Sequence, residues 1–309
     1  MLENTVYDKV YKTMLHDRPK WIILMINEVF REQYRGEERI EFLEGIHYIK
    51  DTDGKLVERV TDSYFIVMDE RRQAFHFEVQ STPDPTMVQR VYEYESATAY
   101  KYRSIDGSNM IVHLPPSAVL FLRHTKSTPD VMRIVVETRN GAALQEVPVM
   151  KLGNYSMEKI FEKRLFILIP FYIFVCENKI IVYNSNKKRL EELKEVYGKI
   201  KEHLDMLVKR NKLDEYDRFL LINMTIKVVE NLAEKFENVV KGVNEVMIGV
   251  GIDYPGRDIY YKGKEDGREE GRSEGERKAY LAMFKDGLIS LTEVAKRLNM
   301  SEEMVKTYL

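Results

Sequence analysis

The feature that most constrains this chain is a short strict alternation, FHFEVQ, at residues 75–80. Phe75, Phe77 and Val79 point one way and His76, Glu78 and Gln80 the other, which is the period of a β-strand with one apolar and one polar face. Sixteen residues earlier Asp62 stands in RVTDSYFIVMD, a second strand-like run. If the two runs pair, two acids and an amide gather on one face. Such a set of hard oxygen ligands suits Mg²⁺, with Mn²⁺ as its substitute. A metal so placed polarises a phosphoryl oxygen and activates water, so phosphodiester cleavage is the chemistry that fits. The plainer reading is a strand whose outer face is simply polar.

Pairing carries a register condition. Directly opposed residues of an antiparallel pair lie on one face. Asp62 therefore shares a face with Glu78 and Gln80 only if the Met68-to-Ala74 connection has an odd number of residues, or a bulge shifts the parity. A five-residue loop, Asp69 to Gln73, sets Asp62 opposite Gln80.

The rest of the chain supplies the frame. Tyr7, Val10, Tyr11 and Met14 fall at helical spacing, and Pro19 opens a second helix with a stripe of Ile22, Met25, Ile26, Val29 and Phe30. Glu41–Tyr48, Leu56–Met68 and Ala74–Ser81 read as an antiparallel meander of three strands. Pro83 and Pro85 end it, and a helix follows from about Thr86 to Tyr102, with Arg90 and Tyr94 on one face. Ala118–Leu122 suits a strand buried on both faces, and Met132–Glu137 and Gln145–Met150 form a further pair through Asn140-Gly141. The expected fold class is α/β: a mixed sheet flanked by helices, with an αβββαβ core and an α-helical C-terminal extension. Leu165–Cys176 is an apolar run of about twelve residues, read as a buried element broken at Pro170, since a bilayer span needs roughly 20.

From Lys187 onward the pattern is helical, with amphipathic helices at Lys187–Lys212 and Asp214–Val240. The expected parts are a core over 1–185, a helical extension over 186–262, and a tail over 263–309. In the tail Gly263, Gly267, Gly271 and Gly275 recur every fourth residue. Four interior glycines cost a lone helix roughly 1 kcal/mol each relative to alanine. The segment reads as a linker, or as a glycine seam that pairs two copies into a homodimer. Lys278–Leu309 reads as three short helices, with Ser290 and Glu293 as a capping box, and serves either DNA reading or docking.

Composition narrows the partners. A formal net charge of −2 excludes bulk attraction to nucleic acid, so any such contact needs local basic patches. The single cysteine, Cys176, excludes an internal disulfide and cysteine-based zinc sites. With an N-terminus unlike a signal peptide, the expected setting is cytoplasmic, with no membrane partner.

The order of these elements resembles the PD-(D/E)xK nuclease superfamily, and more closely its Rpn branch, the recombination-promoting, transposase-like nucleases. The residues that carry the resemblance are Asp8, Tyr11 and Lys12 in YDKVYK, Asp62, Glu78 and Gln80 in FEVQS, and Arg90 with Tyr94 in QRVYEY. The apolar LFILIPFY run and the glycine-every-four tail are also similar to that family. The resemblance implies a Mg²⁺-dependent DNA endonuclease acting in recombination or mobile-element biology. It makes Asp62 and Glu78 the metal ligands, with the backbone carbonyl of Val79 as a third. Gln80 takes the place of the usual lysine and brings no positive charge. Arg90 and Lys12 become phosphate contacts beside Tyr94, and Asp8 an accessory acid, whereas Tyr11 reads as core. The alternative from a different class is a catalytically silent nuclease fold that binds nucleic acid or assembles with partners.

Overall fold

The computed structural model describes residues 5–43, 46–50, 56–60, 63–248, 280–281, 284, 290–298, 300 and 305. Helix α1 (Val6–Asp17) starts at a reciprocal cap: the Thr5 hydroxyl accepts from the Asp8 amide, and the Asp8 carboxylate accepts from the Thr5 amide. Val10, Tyr11, Met14 and Leu15 form its buried stripe. Helix α2 (Trp21–Phe30) follows Pro19 and ends at Arg31, which takes the left-handed conformation at φ 59°.

Ten strands follow. A six-stranded mixed sheet contains, in spatial order, β1 (Arg39–Phe42), β4 (Ser63–Met68), β5 (Ala74–Gln80), β8 (Ser117–Phe121), β10 (Gly141–Lys151) and β9 (Val131–Thr138). β1, β4 and β5 run antiparallel in turn. Helix α3 (Met87–Lys101) then carries the chain over one face, so that β8 lies parallel to β5. This is the crossover that a parallel pair requires. The order helix, three antiparallel strands, helix, parallel strand matches the expected mixed sheet between helices.

The meander differs from expectation in detail. Glu41–Tyr48 is not one strand: β1 ends at Phe42, and β2 (Ile46–Lys50) pairs with β3 (Leu56–Val60) in a separate two-stranded sheet. Leu56–Met68 likewise divides between β3 and β4. The reason lies in pairing partners. Both edges of β4 are taken by β1 and β5, whereas β3 bonds only to β2, so the chain must change partner between Val60 and Ser63. A small exposed hairpin, β6 (Ser104–Asp106) and β7 (Asn109–Ile111), was not legible in the sequence; Gly107 at φ 59° makes its turn.

Register satisfies the parity condition, shifted by two residues. Tyr64 opposes His76 and Ile66 opposes Ala74, so even-numbered positions of β4 and β5 share a face. Asp62 itself lies outside the described residues.

Two apolar clusters flank the sheet. On one side Phe75, Phe77 and Val79 pack with α1, α2 and the helices that follow the sheet. On the other, Met87 and Val91 of α3 meet Val119, Phe121, Ile134 and Val147. The all-buried β8 serves both, as its apolar run predicted.

After α4 (Met157–Glu162) the chain forms a wholly buried 3₁₀ segment, Phe166–Phe171, which contains Pro170. With α5 (Ile173–Cys176) and α6 (Ile180–Ser185) it makes a 20-residue helical stretch, Phe166–Ser185, longer than the expected twelve and apolar enough to cross a bilayer. About half of it is buried here: Phe166–Phe171 and Ile173 belong to the large cluster, while Ile181 and Val182 are exposed. Helix α7 is Lys187–Lys209. The helix expected over Asp214–Val240 is two, α8 (Glu215–Leu232) and α9 (Glu237–Ile248), separated by a turn in which the Phe236 amide donates to the Ala233 carbonyl. Leu193, Leu220 and Val243 of these helices join the same cluster as α1 and α2, so that cluster continues across position 185.

Residues 251–309 form a second compact unit. Its described part holds α10 (Leu291–Leu298) and a small cluster of Val294, Ala295 and Val305. The Ser290 hydroxyl accepts from the Glu293 amide, the half of the expected capping box that is observed. The glycine repeat lies outside the described residues; of the other two expected tail helices Tyr280, Leu281, Phe284 and Val305 are described, each of them helical.

Candidate active site

The even-numbered face of β5 is polar in composition yet buried. His76 is 1 % exposed and Glu78 0 % exposed. Two polar side chains survive there because neighbouring elements bring partners for them. The His76 Nε2–H donates to Glu78 Oε1 at 2.8 Å, and His76 Nδ1 lies 3.2 Å from the Ser117 hydroxyl on β8. That second contact follows from the parallel register, which places His76 beside Ser117.

Helix α3 supplies the opposite wall. Arg90 is buried, with Nη2 at 3.5 Å from Glu78 Oε2 and Nη1 at 3.4 Å from Asp84 Oδ2. Its guanidinium also donates to the Tyr94 hydroxyl at 3.4 Å, and the Tyr94 ring stands edge-on to His76 with centroids 5.8 Å apart. Arg90 and Tyr94 share one helix face, as their spacing led us to expect, and Arg90 reaches Glu78 in the interior. Burial works against the Asp84 charge, but the Thr86 hydroxyl and amide and the Arg90 guanidinium hold its carboxyl below the usual range.

A second acid, unanticipated from the sequence, lies in this wall. Glu95 is 0 % exposed, and its Oε1 accepts from Gln145 Nε2 at 3.0 Å. The same Gln145 amide donates to the Pro115 carbonyl at 3.0 Å. Burial pushes the Glu95 carboxyl up to about 7, against the opposing pull of the Ser117 hydroxyl, the His76 ring and the Gln145 amide. Tyr64, His76, Ser117 and Gln145 thus form a polar band across four strands, closed by Arg90, Tyr94 and Glu95. One sequence signal pointed to Glu95. It sits within the buried stripe Met87, Val91, Tyr94 and Thr98 of α3, where an acid is out of place unless it has partners.

The remaining expected residues are distributed as follows. Gln80 is half-buried at the end of β5, two residues beyond Glu78 on the same face, and Val79 is buried on the other face. Tyr11 is core, as read from the sequence, and its hydroxyl lies 3.1 Å from the Ser63 hydroxyl, which donates to the Phe77 carbonyl at 2.8 Å. Lys12 follows it, half-buried on α1. Asp8 is engaged in the cap of α1, so its carboxylate has a structural task.

Among the described residues no group of three or more His, Cys, Asp or Glu side chains is arranged to hold a metal ion. Glu78 has the right chemistry for one ligand of Mg²⁺. A lone carboxylate is short of a full set, and Asp62, the other acid, lies outside the described residues. Comparison of the chain with family models, with curated proteins and with solved structures found no match.

Proposed function

We propose that this chain is a metal-dependent DNA endonuclease of the PD-(D/E)xK type, centred on the even-numbered face of β5. The observation that carries the reading is the meeting of Glu78 with Arg90, itself bonded to Tyr94, drawn from a strand and a helix that the αβββαβ order puts together. In this reading Asp62, Glu78 and the carbonyl of Val79 hold Mg²⁺. When bound, the ion polarises a phosphoryl oxygen and lowers the pKa of a bound water.

The protein's own groups have separate tasks. His76 donates to Glu78 Oε1 and so fixes the carboxylate rotamer. Arg90, tethered by Asp84, brings a positive charge within 3.5 Å of Glu78, and it offsets the charge that Gln80 lacks relative to lysine. Gln80 orients water or a phosphate oxygen, and Lys12 contacts phosphate.

One observation favours a second reading, a catalytically silent nuclease fold that binds nucleic acid or assembles with partners. Glu78 is fully buried and already engaged by His76 and Arg90. In that case the network is a structural one.

Nicking of supercoiled plasmid in Mg²⁺ separates the two. Under the endonuclease reading the parent nicks, and Asp62→Asn and Glu78→Gln each lower the rate by at least about 100-fold, the usual effect of removing a group that stabilises transition-state charge. Both variants should keep the parent's circular-dichroism spectrum. Equal rates in all three proteins would remove this face from the chemistry, and DNA binding without nicking in any of them would establish the silent fold.

A further inference from the structure

We propose that the free edge of β9 is a self-recognition surface, through which two copies of this chain join their sheets about a two-fold axis. β8 and β10 separate β9 from β5, so the proposal does not depend on the endonuclease reading.

The edge is open and long. Among the described residues β9 pairs only with β10, and no strand lies beyond it. The Val149 amide donates to the Asp130 carbonyl at the foot of this pair. By the alternation of an antiparallel ladder, even-numbered positions of β9 bond to β10, and the amides and carbonyls of Arg133, Val135 and Glu137 point away from it. Such a row of backbone groups is a template for another strand, which lysine or proline on an edge usually blocks. β9 carries neither, and its eight residues, VMRIVVET, are rich in strand formers; the opposite edge, β1, has four.

The side chains of this edge complement themselves. Opposed residues of an antiparallel pair share a face. With Val135 on the two-fold axis, Arg133 of each copy opposes Glu137 of the other, and Ile134 opposes Val136. An axis at Arg133 or at Glu137 sets like charges against each other, and an axis at Val136 sets Arg133 against Arg139. An axis at Ile134 leaves Arg133 against Val135. Charge therefore selects one register. Within the chain Glu137 faces Ala142 on β10 and makes no ion pair with a described residue, so its carboxylate is available to the second copy. Arg133, already 3.1 Å from Glu146, would lie between two carboxylates.

The exposed apolar side chains of this face point to the same axis. Val135 and Leu144 oppose one another across the hairpin and are 52 % and 60 % exposed. Pairing at Val135 aligns the two Val135 side chains between the two Leu144 side chains in one stripe across four strands. The contact is isologous and closes at two copies.

Charge exchange tests the register directly. Sedimentation velocity of the full chain across the micromolar range should show a reversible dimer. Arg133→Glu alone sets Glu against Glu137, and Glu137→Arg alone sets Arg against Arg133, twice in each dimer. Each variant should raise the dimer dissociation constant at least about tenfold, because like charges directly opposed are destabilising. An equimolar mixture of the two variants pairs Glu with Arg at both positions and should dimerise as the parent does. Both positions are exposed, so each variant should keep the parent's circular-dichroism spectrum and melt. A monomeric parent, or dimers unchanged in both variants, would overturn the proposal; the latter would place the contact elsewhere, as in the glycine repeat. Weakening in each variant without recovery in the mixture would overturn the Val135-centred register.

Discussion

The two faces of β5 are equally buried and held by different physics. Phe75, Phe77 and Val79 enter an apolar cluster, where removal of surface from water is the main stabilising term. His76 and Glu78, one residue away, are just as inaccessible, and each needs a named partner on another element. Burial on the first face is forgiving of detail, because apolar contact has no direction. Burial on the second depends on hydrogen bonds of fixed geometry, and a missing partner leaves an expensive orphan. This contrast explains why a buried polar band occurs where a parallel strand, a helix and a hairpin strand converge.

The largest effect that tests the contrast is on the apolar face. Phe77→Ala should destabilise the protein by about 3–5 kcal/mol, through lost burial and the cavity left behind. Urea denaturation measures it, and a cost below about 1 kcal/mol would show that this face is not the tightly packed side.

Next comes a pH effect confined to the polar face. Glu95, facing His76, Ser117, Gln145 and Tyr64, keeps its proton to about pH 7, above the 4.5 of a free glutamate. Its raised folded-state pKa means that the native state binds the proton more tightly. The favourable contribution is therefore complete below pH 4.5 and is lost as pH rises through 7. The full span is on the order of 3 kcal/mol. Glu95→Gln should flatten that part of the stability profile between pH 5 and 8 relative to the parent. Parallel profiles for the two proteins would rule out Glu95 as the source.

The smallest expected effect concerns a polar bridge on the apolar side. The Ser63 hydroxyl joins Tyr11 to the Phe77 carbonyl. Ser63→Ala should cost about 1 kcal/mol, the net worth of an ordinary hydrogen bond. A thermal melt of the variant superimposing on the parent's would show that water replaces the bridge.

Much of this architecture was legible in the residues. Periodicity identified α1, α2, α3 and the strand β5, the apolar run Ala118–Leu122 announced β8, and Asn140-Gly141 marked the β9–β10 turn. The errors cluster where pairing partners decide. Nothing in Leu56–Met68 says that its first half pairs with β2 and its second with β1 and β5. Nor does Asp214–Val240 announce the turn at Ala233 to Phe236, since no glycine or proline interrupts it. At the candidate site, Arg90 and Tyr94 were placed together by i, i+4 spacing. The contact of Arg90 with Glu78, and the presence of His76, Ser117, Gln145 and Glu95 around it, required four chain segments separated in sequence.

The sequence by itself determined which side of each element is apolar, because a fixed helical or strand period leaves no choice of face. It determined the alternation at Phe75–Gln80 and the order of helices and strands around it. Only the tertiary structure decided what the polar face of β5 became. The parallel register set Ser117 beside His76, the crossover brought Arg90 and Glu95 over the strand, and burial raised the affinity of Glu95 for its proton. Those are properties of distance and dielectric surroundings, and they exist only once the sheet and α3 have closed on one another.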